Sequence, residues 1–436
     1  MSQRLTIRVA WEHLAKGLPE ERATFAALGI SFNNLSLTEA EDGLANRLRQ
    51  DVYLSGYRLG EWLAWNWWRL RWEPRKDSLG WAMAHRMASI GGGYIWPNIT
   101  IFSDGERVVL NAQPTSKKPS EPLRYIAQTA AIVSASEFES EVDLFLNQTI
   151  ERLRSENIEK TNLDAICHEL REERRDPELA KRRKLEALLG RDVDEANQAD
   201  LDQLLADATR LGEDAVGELA AQNPEDARPL TSGDLASIAI SHGFDFNPAD
   251  AIQLESKAAL ALPSGVAAWE RGVAAAKALR KQLNIGAAPI SNDRLSEMVG
   301  VSKKVISSAT HSGEFPFTLE SEPRKGKISI RSKYETGRRF ALCRLLGDRI
   351  AYTTTDKLRP ATSAYTYRQK IQRAFAGEFL CPFKALQDML HGDLSDDQFD
   401  EAADYFNVSN RTIRTLLVNN GLLERDNLEL HLASSA

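Results

Sequence analysis

The stretch RRFALCRLLGD at residues 338–348, together with the later run from Tyr367 to Pro382, decides the fold of the second half of the chain. On a helix, residues i and i+4 share one face, so we expect Arg344 and Asp348 to form an ion pair across one turn. The segment 368–373 in the later run contains no Asp, Glu, His or Cys. Arginine offers no lone pair to a metal, so neither Arg344 nor the segment 368–373 can supply one of the usual metal ligands.

Two sets of residues form a recognisable pattern. Within the two stretches the pattern consists of Phe340, Leu342, Leu346, Gly347, Phe375, Ala376, Leu380 and Pro382. Upstream of them it continues with Ala276, Leu279, Arg280, Leu283, Ile285, Pro289, Ile290, Leu295, Glu297, Gly300 and Val301. Over roughly residues 265–425 this pattern resembles the ImmA/IrrE family of bacterial zinc metallopeptidases, in which R-F-x-L-A-H-E-L-G-H precedes a helix ending in F-A-x-x-L-L-x-P.

The positions that carry the chemistry of that family differ in this chain. An H-E-x-x-H site works because two His four residues apart reach one zinc ion and the Glu activates its bound water. Here Arg344 and Asp348 stand at the ligand positions, and Leu345 stands at the position of the base. The resemblance therefore implies a degenerate site formed by these three residues on a peptidase-like scaffold, with no catalytic residue, metal or cofactor.

Length and composition set broader bounds. A chain of 436 residues favours two or three domains. Its apolar stretches fall short of eighteen residues, so we expect no transmembrane helix and no membrane partner, and residues 1–9 lack the apolar core of a signal peptide. Cys167, Cys343 and Cys381 are widely spaced, as is typical of reduced thiols. We therefore expect a cytoplasmic protein.

The net charge of −7 is unevenly distributed. Residues 1–260 have an acidic excess, whereas segment 324–373 has fourteen Lys and Arg against three acidic residues. Such a patch favours a nucleic acid as partner, although a solvated face is an equal alternative. The candidate nucleic-acid-binding residues in this segment are Arg338, Arg339, Arg344 and Arg349.

The first half predicts an α+β domain at residues 1–130 with a small antiparallel sheet. Strands are expected at Leu5–Ala10 and Ile30–Leu37, and a hairpin is expected at Asn98–Phe102 and Arg107–Leu110. We interpret Gly91-Gly92-Gly93 as a turn and 113–122 as an exposed loop.

Six tryptophans between residues 62 and 81 alternate with arginines. On a continuous helix, Trp65, Trp68 and Trp72 would share one face. These residues could stack nucleic-acid bases, but we favour indoles packed in a core.

The remaining organisation is mostly helical. We predict a charged helical region at residues 131–224 and a hinge at residues 225–262. The peptidase-like domain is expected at residues 263–436. The overall fold class is α+β, mostly helical.

A helix-turn-helix spacing lies at residues 394–423. Its second helix would offer Asn410, Arg411 and Arg414 to a major groove. The acidic first helix would repel phosphate, so we favour structural closure over DNA recognition.

Three hypotheses for function follow. The first is a non-catalytic ImmA/IrrE-like protein that binds a nucleic acid or a protein partner; the resemblance suggests bacterial stress, prophage or phage-defence regulation. The second is a DNA-binding transcriptional regulator that uses residues 394–423. The third is a metallopeptidase with non-standard ligands, drawn from Cys343, Asp348, Cys381 and His391, with Glu378 as a further candidate. The sequence leaves the oligomeric state open.

Overall fold

The computed structural model describes residues 4–76, 78–116, 122–224, 227–255, 262–263, 265–308, 314–352 and 354–424. These residues form an α+β fold with eighteen α-helices and small antiparallel sheets, as the sequence predicts. The chain divides into two compact units: residues 1–202 with 223–227, and residues 203–222 with 228–436. Among the described helices, none has the length and apolar character needed to span a membrane.

The first unit combines three sheets with seven helices. Its strands are β1 (Leu5–Trp11), β2 (Phe25–Phe32), β3 (Leu35–Ser36), β4 (Ala40–Asp42), β5 (Arg47–Arg49), β6 (Val52–Ser55), β7 (Ile99–Ser103), β8 (Arg107–Ala112), β9 (Leu123–Tyr125) and β10 (Thr129–Ser134). Its helices are α1 (Pro19–Ala23), α2 (Gly56–Trp65), α3 (Trp67–Trp72), α4 (Leu79–His85), α5 (Ala135–Ser155), α6 (Asn162–Arg175) and α7 (Pro177–Leu189). Helix α8 (Gln198–Leu211) contains the division between the two units.

Antiparallel pairing in the first unit confirms the predicted strand Leu5–Ala10, which is β1. The predicted strand Ile30–Leu37 is wrong as one strand, because a turn separates the end of β2 from β3. The sheets have the orders β1-β2-β3 with β6 also on β2, β10-β8-β7, and β5-β4-β9. The turn after β2 places Asn33 at φ +56°, and the three glycines at 91–93 all have positive φ, as turns require. The predicted hairpin is confirmed as β7 and β8. Part of the predicted loop at 113–122 lies outside the described residues.

Most of the tryptophan-rich segment belongs to a core. Trp67, Trp68 and Trp81 are at most 6% exposed, and the rings of the first two meet edge to face at 4.9 Å. The prediction of one continuous helical face is wrong, because the helix breaks at Asn66, and Trp65 is 62% exposed. The core interpretation is therefore confirmed for the three buried indoles.

The second unit contains one sheet and ten helices that follow α8. Its helices are α9 (Glu213–Gln222), α10 (Ser232–His242), α11 (Ala268–Gln282), α12 (Asn292–Val299), α13 (Lys304–Ser307), α14 (Glu335–Ala351), α15 (Tyr367–Leu380), α16 (Phe383–Leu390), α17 (Asp396–Phe406) and α18 (Asn410–Asn419). Its strands are β11 (Phe244–Phe246), β12 (Phe317–Glu322), β13 (Lys325–Ser329) and β14 (Leu358–Pro360), paired antiparallel in the order β11-β13-β12-β14.

The predicted hinge contains regular structure instead. Helix α10 begins with a capping box in which Thr231 and Asp234 bond each other's main-chain N–H groups, and β11 pairs with β13. The preceding helix α9, placed by the sequence in the charged middle region, belongs to the second unit. The turn signal at Asn223-Pro224 marks the end of α9 rather than the start of a long hinge.

Small residues allow α11, α14 and α15 to approach closely. A Cβ atom on Gly272 of α11 would lie 2.5 Å from the main-chain oxygen of Ile371 on α15. A Cβ atom on Gly347 of α14 would lie 2.6 Å from the ring of Phe375, which is fully buried. These two contacts set the spacing of the helices that carry the candidate site.

We expect Gly272→Ala to lower the free energy of unfolding by about 1–3 kcal/mol, because main-chain atoms of α15 cannot move aside as a flexible side chain would. The same exchange at Gly233 of α10 is a matched control, since its Cβ would meet only Thr231 Oγ1, at 3.6 Å. The control should be neutral or stabilise by up to about 1 kcal/mol. Urea unfolding followed by circular dichroism measures both; equal effects would contradict the close contact.

Candidate functional site

Helices α14 and α15 bring the degenerate positions together. Arg344 and Asp348 extend from α14 toward Arg368, Gln369 and Gln372 on α15. Helix α15 starts where the Thr366 side chain caps the Gln369 N–H at 3.3 Å, which places these three side chains in its first two turns. The two stretches singled out in the sequence therefore form one site.

Asp348 is the centre of this site and is fully buried. Its two oxygens accept hydrogen bonds from Nε and Nη2 of Arg368, each at 2.7 Å, in a two-pronged pair. Arg359 Nη1 and Gln372 Nε2 add bonds of 3.1 and 2.9 Å. Burial alone would raise the pKa of Asp348, but Arg368, Arg359 and Gln372 hold that pKa below its usual value.

The predicted ion pair between Arg344 and Asp348 is wrong. Asp348 takes its ion pairs from Arg359 and Arg368, whose guanidinium groups reach it with better geometry than a neighbour one helical turn away. Arg344 Nη2 instead donates to the oxygen of Thr362 and to Gln369 Oε1. Burial lowers the pKa of Arg344, and its Nε has no hydrogen-bond partner among the described residues.

Arg368 links two carboxylates. Besides Asp348, its Nη1 donates to Asp356 Oδ2 at 2.8 Å, and its guanidinium lies 4.8 Å from the centre of the Tyr352 ring. Burial lowers the pKa of Arg368, but the surrounding carboxylates raise it further than burial lowers it. This side chain is therefore a permanent cation between α14 and α15.

Helix α9 contributes a residue to the site that sequence reasoning missed. Glu218 is buried, and its Oε2 accepts a hydrogen bond of 2.8 Å from Thr366 Oγ1. Burial raises the pKa of Glu218, and the nearby Arg368 acts in the opposite direction. A local signal existed: Asp214, Glu218 and Gln222 recur every four residues and so mark one polar face of α9.

The side chains present do not fit the zinc ion that the family resemblance implies. Arg344 and Leu345 supply no metal ligand, and both oxygens of Asp348 are bonded to guanidinium groups. Across the described residues, no group of three His, Cys, Asp or Glu side chains is placed to hold a metal ion. We therefore derive no reaction step through a metal at this position.

The non-standard ligands considered for a metallopeptidase do not assemble either. Burial raises the pKa of Cys343 to about 12 and also raises that of Cys381, so both thiols stay protonated. Glu378 accepts a hydrogen bond from the main-chain N–H of Phe383, and His391 ends α16. Within the described residues, these side chains form no metal-holding group with Asp348.

Three of the candidate nucleic-acid contacts are engaged internally. Arg338 and Arg339 are at most 5% exposed. Arg338 donates to the main-chain oxygens of Ile306, Ser332 and Lys333, and Arg339 donates to those of Ile290 and Asn407. Arg349 is paired with Glu320. The donors of these three side chains are therefore not presented to a phosphate backbone. Other basic residues of segment 324–373 are exposed, among them Lys325 and Lys357, so a nucleic-acid partner for this segment stays a prediction.

The helix pair at 394–423 has the predicted form, with α17 and α18 joined by a turn in which Asn407 has φ +50°. Asn410 donates to Asp400, and Arg414 is bonded to Asn410 and paired with Asp396. Only Arg411 of the three proposed base-contacting residues is exposed. Acidic side chains of α17 thus bind Asn410 and Arg414, which would otherwise be available to the major groove.

Searches of protein-family models, curated proteins and solved structures returned no match to this chain. The resemblance to ImmA/IrrE peptidases therefore stays a prediction from the sequence motifs.

We expect Asp348→Asn to lower the free energy of unfolding by about 3–5 kcal/mol near pH 7, because it removes the buried carboxylate that pairs with both Arg359 and Arg368. Since the pKa of Asp348 is lowered on folding, its contribution is present above pH ~4 and is lost as the pH falls through the folded-state pKa. Wild type and variant should therefore converge in acid. Asp245→Asn, at a surface pair with Lys327, is the control and should cost at most about 1 kcal/mol. Parallel pH profiles would contradict this assignment.

Proposed function

We propose that the chain catalyses no reaction and acts by binding another protein, with its second unit an ImmA/IrrE-like pseudopeptidase. The observation that supports this proposal is the position of Arg368, whose guanidinium is held between Asp348 and Asp356. On the family resemblance, a zinc ion would be held by these two helices. The Arg368 guanidinium balances the carboxylates, but its donors are bonded to Asp348 and Asp356 and so are not available to a substrate carbonyl group. It also cannot generate a bound hydroxide as a zinc ion does, and Leu345 cannot act as a base.

A protein partner is favoured over a nucleic acid by the bonding of the arginines. Nucleic-acid affinity depends largely on Lys and Arg side chains that neutralise phosphates. Arg338 and Arg339 end on main-chain carbonyls, and Arg349 and Arg414 are paired with acidic side chains. The resemblance places such a binding protein in bacterial stress, prophage or phage-defence regulation, and this context is part of the proposal.

Zinc content tests the non-catalytic assignment. We expect protein purified from zinc-supplemented cells to carry far less than one zinc ion per chain by elemental analysis, because Asp348 is the only suitable ligand among the three motif positions. We also expect no peptide cleavage that a chelator abolishes. Stoichiometric zinc that is lost in Asp348→Ala would overturn the proposal.

Gel shifts and affinity capture separate the two classes of partner. Tagged full-length protein should retain its partner from host extract after nuclease treatment. It should not shift duplex or single-stranded DNA or RNA even at about 50 mM salt, where the affinity of a protein with several phosphate contacts is about 10³–10⁵ higher than at about 200 mM. Arg411→Ala is the informative variant, since Arg411 is the exposed one of the three proposed base-contacting residues. A salt-sensitive shift weakened by this change would instead support the DNA-binding regulator.

A further inference from the structure

Strand β1 lies at an edge of its sheet, because among the described strands only β2 pairs with it. Along an antiparallel pair, residues alternate between those whose main-chain N–H and C=O bond to the partner strand and those whose groups point away from it. Glu12, the residue after β1, donates its N–H to the oxygen of Phe25 in β2. The even-numbered residues therefore face β2, and the N–H and C=O groups of the odd-numbered residues from Leu5 to Trp11 point outward.

Helix α5 covers the first half of this outward edge. Glu137 Oε1 accepts the N–H of Leu5, and Glu141 Oε1 accepts that of Ile7, each at 2.6 Å. The spacings match, since four residues of a helix rise about 6 Å and two residues of a strand rise about 6.8 Å. Two glutamates one turn apart therefore close two successive positions of the edge, which protects them from pairing with another strand.

The second half of the edge is open. In the part of the chain that the structure describes, the outward N–H groups of Val9 and Trp11 have no hydrogen-bond partner. The carboxylate series ends at Glu141, because the position one turn further along α5 is Phe145, which is buried in the core. A groove of about 420 Å³ lies beside these two residues of the strand, and its α5 side consists of Gln148, Glu151, Arg152 and Ser155.

We propose that the open end of β1 is a strand-addition site, where an extended segment of the partner protein pairs its main chain with Val9 and Trp11. The groups left open are donors and acceptors of the main chain in the geometry of a strand, and another strand matches them directly. The groove beside them leaves room for the added strand between β1 and α5. That a protein partner exists rests on the function proposed above, whereas the open edge rests only on the contacts of β1 and α5.

The charges of the groove favour a basic side chain in the added segment. Glu151 is exposed and forms no ion pair among the described residues. Arg152 is instead paired with Glu156 at 2.8 Å and donates to the oxygen of Ala23. Glu151 is therefore the charged groove residue that is left for a partner, and the acidic excess of residues 1–260 acts in the same direction.

Hydrogen exchange of the full-length protein, resolved by residue with NMR, tests whether the edge is open. The amides of Val9 and Trp11 should exchange at least about 10-fold faster than those of Leu5 and Ile7, which are the matched control because their N–H groups are bonded to glutamates. Similar protection of all four amides would overturn the proposal, since it would show that the second half of the edge is already covered.

A peptide of defined sequence tests the strand addition. A fluorescein-labelled hexapeptide in which valine and lysine alternate should bind the full-length protein in an anisotropy titration. At about ten times its Kd, it should protect the Val9 and Trp11 amides about 10-fold. Its fully N-methylated counterpart, which cannot donate main-chain hydrogen bonds, should bind at least about 10-fold more weakly. Glu151→Lys should weaken binding of the unmethylated peptide about 3-fold.

Val9→Pro is the informative variant, because proline removes the outward N–H without breaking a bond to β2, and its ring blocks the edge. It should weaken peptide binding at least about 10-fold, whereas Val9→Ala keeps the N–H and should bind within about 2-fold of wild type. Equal binding by these two variants, or equal binding of the two peptides, contradicts the proposal. Should Val9→Pro fail to fold by circular dichroism, the comparison of the two peptides on wild type decides alone.

Other occupants give different results. Dimerisation by light scattering that is lost in Val9→Pro would show that a second copy of this chain pairs with the edge, and would rule out the assignment to a partner protein. If the native partner proves to be a nucleic acid, the proposed function fails while peptide binding at β1 is unaffected. If the peptide does not bind but a protein partner is captured, the strand-addition site fails and the proposed function stands.

Discussion

The ion pair between Arg368 and Asp348 is the interaction on which the second unit depends. Both side chains are buried, and isolated charges in a protein interior are far less stable than in water. The pair is stable because two parallel hydrogen bonds join the groups, and because Asp356 and Arg359 extend the alternation of charge on either side. Helix α14, strand β14 with the loop before it, and helix α15 are thereby held in one arrangement.

The Arg368 guanidinium differs from a bound metal ion in the chemistry that it allows. It has no open coordination position, it cannot be exchanged, and its charge is already balanced by fixed carboxylates. Arg338 and Arg339 are likewise satisfied within the chain, because their guanidinium groups donate hydrogen bonds to main-chain oxygens. A count of basic residues in segment 324–373 therefore overstates the positive charge available to a partner. What remains for function is the surface of this unit rather than its interior.

Local signals were sufficient for some of the elements, because caps, turns and periodicity lie within a few residues of one another. They predicted β1, the β7–β8 hairpin and the α17–α18 pair. They could not predict which side chains, distant in the sequence, contact one another in the fold. Spacing showed that Arg344 and Asp348 were within reach of each other, but not that Arg368, twenty residues further along, would bind with two prongs. Glu218 meets Thr366 across 148 residues, and no local pattern specifies such a contact.

The position of α9 illustrates the same limit. A polar stripe on a helix usually indicates a face in water, and here the stripe rests against hydroxyl groups of the same unit. Separating two polar surfaces restores their hydrogen bonds to water, whereas separating two apolar surfaces does not. In α9 both kinds of surface are present, since Val216, Leu219 and Ala220 are also buried. The burial of these apolar residues holds the helix in the unit, and the three polar side chains fix its orientation.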